Sequence, residues 1–391
     1  MLSPLELAAG VPLPADRELT PVERSTLTPR AALERAVLPA LRREPCVVSF
    51  SGGCDSSLVL AAAVDAARKH GLSLPIPLTI RVRDDVASDE RGWQELVVRH
   101  LGLSEWITLE VGEELDCIGE LAQGALLRHG VLWPSNAHFH VPQLEHAAGG
   151  SLVTGIGGDE VLGPSGWESL RLVLARMARP KPRDALRLAA ALAPLAVRAR
   201  VAARRAQLEL DWLQPAARRE VVATLARAAA SEPVGWRRRY EWVLGQRPLH
   251  LGLESLDLLG RDYGTLVRHP LLDPAFVASL ASLPASARFT SRNAALEALF
   301  ADLLPAALTS RRTKAVFTAP LWGEASRVFA AEWDGSRVDP DLVAVETLVR
   351  RWRVERRPGP YTLLQSLWLS GRVSAPHGRE QLLDGLVKAR P

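Results

Sequence analysis

The chain has 391 residues, 47% of them apolar and 24% charged, with a formal net charge of +4. This suits a globular protein of two domains, or of one large domain with an insertion, and excludes a charge-rich disordered chain. No apolar run reaches the length of a membrane span, so no membrane partner is expected, and Met1-Leu2-Ser3-Pro4 opens no signal peptide.

Residues 1–30 are rich in Pro, Thr and Leu without a clear period and read as an irregular lead-in. Thr28 is placed to cap a first helix over Ala31–Arg43. Cys46–Phe50 is a buried strand, followed by a helix over Ser57–His70 that Gly71 would stop. Strands at Ile76–Val82 and Trp106–Val111 alternate with helices at Glu90–Leu101 and Leu115–His129, and Leu152–Thr154 is a fourth short strand. Strands alternating with helices imply a parallel sheet covered on both faces. After about Gly163 the pattern becomes helical, rich in Ala, Leu and Arg, as in Ala185–Gln207 and Arg218–Ala230, and reads as an all-helical lobe. Thr347–Leu369 and Arg379–Lys388 also read as helix, with a break at Pro358-Gly359-Pro360.

Residues 171–219 carry twelve Arg or Lys against three Asp or Glu. A solvated helical face is one reading; a docking surface for an acidic peptide or RNA is the other. Aromatic interleaving and RNA-binding motifs are missing, so no nucleic-acid partner is expected. The three cysteines, Cys46, Cys54 and Cys117, lack metal-ligand spacing and read as reduced thiols in a cytoplasmic protein.

The first strand runs into Ser51-Gly52-Gly53-Cys54-Asp55-Ser56-Ser57. Glycines there let the backbone approach an anion, and the N–H groups at a helix start would point at it. Ser51, Ser56 and Ser57 add hydroxyls. Asp55 would repel phosphate alone, but makes sense as a ligand of Mg²⁺ that bridges to a nucleotide triphosphate. A second turn, Thr154-Gly155-Ile156-Gly157-Gly158-Asp159-Glu160, ends the fourth strand. Asp159 can supply the same metal with a second carboxylate. Ligands in such sheets bind beyond the carboxyl ends of the strands, where both turns lie.

Together the two turns resemble the synthetase domain of the asparagine synthetase family, within the ATP pyrophosphatase group. The segments Ser88-Asp89-Glu90 with Trp93, His269-Pro270-Leu271-Leu272-Asp273, Leu303-Leu304-Pro305 and Ser310-Arg311-Arg312-Thr313-Lys314 resemble further family stretches, over residues 45–320. The nearest types are lasso-peptide macrolactam cyclases and β-lactam synthetases.

The resemblance implies an α/β ATP-pyrophosphatase domain, of the adenine nucleotide alpha hydrolase-like kind, with an α-helical C-terminal lobe. Its boundaries would be 1–44 for the lead-in, 45–165 for the core and 166–391 for the lobe. It also implies adenylation of a carboxylate with ATP and Mg²⁺, then amide formation with an amine, possible within one molecule as in a macrolactam. The nucleotide would lie on Ser51, Gly52, Gly53, Asp55, Ser56, Ser57, Gly155 and Gly157, and the metal on Asp55 and Asp159. Lys314 matches the family's active-site lysine, and Glu254 aligns with the base of the β-lactam type. His138 and His140 are alternative bases, and Trp133-Pro134-Ser135-Asn136 is placed to line the substrate side. The implied partners are a small-molecule or peptide carboxylate and an amine, with a precursor peptide and companion protease in the macrolactam case.

Two departures stand out. The family's glutaminase domain, with its N-terminal cysteine, is not recognisable: Leu2 follows Met1, and Cys46 is the first cysteine. Ile156 stands where asparagine synthetases carry Glu and β-lactam synthetases Tyr, and it cannot accept a proton. An RNA-modifying adenylating enzyme and a non-catalytic nucleotide-binding homologue are the competing readings.

Overall fold

In a computed structural model, described over residues 1–15, 21–83, 89–163, 165–174, 179, 181–206, 208–289, 291–311 and 319–373, five short strands form one sheet. They are β1 (Cys46–Ser49), β2 (Ile76–Val82), β3 (Ile107–Val111), β4 (Ser151–Val153) and β5 (Leu266–Arg268). The order is β3-β2-β1-β4-β5, with every pair parallel. Val47 lies opposite Ile76 on one side and Leu152 on the other.

Neighbouring side chains on a strand face opposite ways, and the sheet packs into a core on each face. Cys46, Val48 and Val153 pack into one core with Leu33, Leu58 and Phe276. Val47, Leu152 and Val267 pack into another with Leu144, Leu256 and Leu259. The first layer is built by helices α2 (Pro29–Leu41) and α3 (Cys54–His70). Thr28 caps α2 by accepting a hydrogen bond from the Ala31 N–H, and Gly71 ends α3 in the left-handed region (φ 63°). Short helix α1 (Pro4–Ala9) precedes them.

The chain continues through α4 (Arg91–Leu101), α5 (Glu120–His129), α6 (Val141–His146), α7 (Gly158–Val161) and α8 (Glu168–Leu174). The helical lobe comprises α9 (Pro182–Leu192), α10 (Leu195–Arg205), α11 (Pro215–Ala230), α12 (Trp236–Leu244) and α13 (Arg247–Asp262). After β5 come α14 (Pro274–Ala281), α15 (Arg292–Phe300), α16 (Ala306–Thr309), α17 (Glu324–Glu332), α18 (Val345–Val349) and α19 (Tyr361–Val373). A third core joins α1, α5, α11 and α17–α19 through Trp212, Trp333, Trp352 and Leu364.

Four expectations need correction. The lead-in read as irregular holds helix α1, with Ser3 and Glu6 capping its start. The lobe is not all-helical, because β5 returns to pair with β4. The helix expected over 185–207 is two, broken at Ala193-Pro194, since proline lacks the N–H and crowds the preceding turn. Helix α3 starts at Cys54 rather than Ser57, which puts Asp55 in its first turn. The helix expected at 379–388 lies outside the described residues. No described helix is long and apolar enough to cross a membrane.

Candidate active site

Beyond β1 the chain steps to β2 on one side, and β4 pairs on the other. A crevice at such a reversal of strand order opens between the two carboxyl ends, and here both glycine turns line it. The cavity holds about 440 Å³ and is walled by Ser51, Gly53, Asp55, Ser56, Gly155–Asp159, Arg292 and Arg311, among others.

The first turn is tied to itself. Ser51 Oγ and Ser56 Oγ lie 3.0 Å apart, Gly53 N–H donates to Ser51 Oγ (3.3 Å), and Ser56 Oγ donates to Gly53 O (3.1 Å). Gly52 adopts φ 84°, a conformation that L side chains rarely hold, and a Cβ there would strike Gln94. Gly53 caps α3 without a side chain, so the first-turn N–H groups of a 17-residue helix face the cavity. The turns also touch: a Cβ on Gly155 would lie 2.7 Å from Ser56 N, and one on Gly158 would run into Asp55.

Asp55 and Asp159 are brought together across the crevice by one cation. Arg292, at the start of α15, places Nε 3.4 Å from Asp55 Oδ1 and pairs through Nη2 with Asp159. A positive charge thus already sits between the two carboxylates. Mg²⁺ is commonly held by one or two carboxylates, the remaining ligands being phosphate oxygens and water. The donor set fits that kind of nucleotide-linked ion. Among the described residues no cluster of three or more metal-type ligands forms a cage of its own.

A second tier holds the loop from behind. Arg311 donates from Nη1 to Gly52 O (3.2 Å), pairs with buried Glu90, and stacks 4.9 Å over the Trp93 ring. Gln94 Nε2 donates to Ser51 O at 3.1 Å, and its Oε1 accepts from Arg81 Nε at 3.2 Å. Sequence reading did not assign roles to Arg292, Arg311 or Gln94. Arg311 and Glu90 did lie within segments that carried the family resemblance, which was the only signal available.

Other expected residues fall differently. Gly52 and Ser57 do not wall the cavity: Gly52 shapes the turn, and Ser57 is fully buried beneath it. Cys54 reaches the wall, but burial and then the neighbouring Asp55 charge push its thiol up, so it stays protonated. Lys314 lies outside the described residues. Glu254 is exposed on α13 and lines neither this cavity nor its neighbour, so the structure does not bring it to the site. Its place on the outward side of the helix, one residue past inward-facing Leu253, is the physical reason.

The neighbouring cavity, about 660 Å³, shares His140, Ile156, Asp159 and Glu160 with the first. Its remaining wall is largely apolar, including Trp133, Pro134, Trp242, Leu249, Leu253 and Leu256. Ser135 and Asn136 are not part of it. Burial pushes His140 down to about 4, so the imidazole is neutral at pH 7. His138 is buried behind it, also lowered by burial, with Nε2 3.1 Å from Leu115 O, a structural placement. His269 pairs with Thr154 through Nδ1 (2.7 Å) and is likewise pushed down to about 4, by burial first and by His140 second.

Compared with known proteins, the chain is matched from residue 28 to 364 by a family model described as asparagine synthase. No curated protein matches it closely enough to count as a relative.

Proposed function

The chain belongs to the asparagine synthase family of ATP-dependent ligases, and from that membership we propose that it adenylates a carboxylate and transfers the acyl group to an amine. In the first step a carboxylate oxygen bonds to the α-phosphorus of ATP and pyrophosphate leaves. In the second an amine nitrogen bonds to the acyl carbon, the bond to AMP breaks, and the amine gives up a proton.

The observation that carries this reading is the joining of two unlike cavities at Ile156, Asp159 and Glu160. One is lined by helix N–H groups and carboxylates, and the other is a mostly apolar chamber. A bound Mg²⁺ would supply charge neutralisation for the phosphates, and Asp55 and Asp159 are the residues to hold it. The chain's own share of the first step is positioning: the Ser51–Ser56 turn and the start of α3 orient the phosphates, and Arg311 keeps that turn in place. Lys314 is the proposed further cation for the developing negative charge.

For the second step the proton acceptor is proposed to be Glu160, which lines both cavities. His140 shares that position, but a ring pushed down to about 4 holds a proton poorly at neutral pH. The chamber's Trp and Leu wall favours an apolar or aromatic acyl group, or a peptide side, over a free aspartate. Ring closure within one peptide fits this chamber, with a precursor peptide and a companion protease as the partners implied.

Exchange of labelled pyrophosphate into ATP tests the proposal. Exchange that depends on an added carboxylate is the expected result. Exchange only with tRNA, or ATP binding without exchange for any carboxylate, would overturn it. Within the same assay Glu160→Gln is expected to spare exchange and slow amide formation about 10²-fold, whereas Glu254→Gln should leave both steps at the wild-type rate.

A further inference from the structure

Helix α9 buries only one residue, Asp184: Oδ1 accepts from Ser169 Oγ (3.1 Å) and Arg187 Nη1 (3.0 Å), and Oδ2 accepts from Lys181 N–H (2.8 Å). The apolar side is turned to solvent, with Leu186 72%, Leu188 42% and Leu192 78% exposed. Ala185, Leu188, Ala189 and Leu192 follow a helical stripe and form one exposed apolar face, while Leu186 stands to the side of it.

Helix α10, next in the chain, is exposed as well. It buries none of its residues, and Val197 (52%) and Val201 (43%) lie on its outer side together with exposed Arg200 and Arg204. Its inner side, Ala199, Ala202 and Ala203, is only half-buried. Over residues 181–206 there are seven Arg or Lys, and Asp184 is the single acidic residue. None of the exposed Leu or Val residues of α9 and α10 lines either cavity of the active site.

We propose that helices α9 and α10 are a membrane-surface anchor that lies on an anionic lipid bilayer, Leu and Val inserted among the acyl chains and Arg on the headgroups. An exposed apolar stripe on one helix, followed by a helix that presents Val and Arg together, is the chemistry of an interfacial segment. The Arg residues are complementary to anionic lipid. The apolar residues stand outward on two helices instead of lining a groove, which suits a broad surface better than a single peptide strand. The lack of a long apolar run argued against a membrane partner; a helix that lies on a bilayer needs none, only one apolar face.

Co-sedimentation of the full chain with vesicles tests this. Binding is expected to vesicles of equal parts phosphatidylglycerol and phosphatidylcholine, and not to phosphatidylcholine alone. Replacing Leu188, Leu192, Val197 and Val201 together by Ser should lower the affinity at least about tenfold. Each of Arg200→Gln, Arg204→Gln and Arg205→Gln should lower it about fivefold and weaken its salt dependence. Circular dichroism and pyrophosphate exchange should be unchanged in all variants, which separates this outcome from unfolding and from failure of the ligase reading. Absence of binding to anionic vesicles, or binding that survives the serine replacements in a folded protein, would overturn the proposal. So would a concentration-dependent dimer dissolved by those replacements, or an acidic peptide that binds where vesicles do not.

Discussion

The two cavities that meet at Ile156 are made in different ways. The cavity between the glycine turns is made mainly of turns at strand ends, with backbone N–H groups, small residues and carboxylates at fixed offsets. The chamber beside it is made of side chains from well-separated parts of the chain, Trp133 before α6, Glu160 on α7, Trp242 on α12 and Leu253 on α13. The difference teaches where chemistry and selectivity reside. Handling phosphate demands backbone approach and charge, which leave few choices of residue. Accepting an organic group demands only shape and dryness, which many residues satisfy.

The sharpest way to break this contrast is at the carboxylates. Asp55→Asn and Asp159→Asn are each expected to lower carboxylate-dependent pyrophosphate exchange by roughly 10²–10³-fold. Either variant exchanging at the wild-type rate would remove the shared-cation site. Next in size is the support behind the loop. Arg311→Ala leaves buried Glu90 without its ion-pair partner, at a cost of about 3–5 kcal/mol in a urea unfolding experiment. A loss below 1 kcal/mol would show that the pair is not holding the turn.

The chamber should answer differently. Trp242→Ala is expected to raise KM for the carboxylate or amine about tenfold while leaving KM for ATP unchanged. Equal effects on both would mean that the two cavities do not divide the work. The smallest effect concerns acid. His140 and His269 are held neutral, pushed down from 6.5 to about 4. Between those pH values the unfolded chain binds protons that the folded one refuses, so stability is full above pH 6.5 and falls as pH drops towards 4. His140→Gln should flatten that slope in Tm-versus-pH measurements; an unaltered slope would assign it to other groups.

The same contrast governs what sequence reading could reach. Strands 46–49 and 76–82, the caps at Thr28 and Gly71, and both glycine turns were legible because each depends on residues a few positions apart. Arg292 and β5 were not. An arginine that crosses to Asp55 has no local pattern, and three residues of strand inside a helical region carry too short a period to be read. Glu254 failed for a related reason: alignment fixes a position along a helix, but one step of 100° decides whether a side chain meets the cavity or the solvent.

The bond from Arg311 to Gly52 spans 259 residues, and β5 joins the sheet only after the helical lobe. During synthesis the Ser51–Ser57 turn therefore leaves the ribosome long before the parts that brace it. At bacterial or eukaryotic elongation speeds that wait is about 10–50 s. Within that wait, from the synthesis of β4 until β5 follows, about 6–23 s, the half-built sheet carries β4 as a bare edge, open to pairing with another nascent chain. Yield of active protein should thus depend on translation rate and chaperone supply, and any truncation before residue 311 should give a chain that aggregates instead of one that binds ATP weakly.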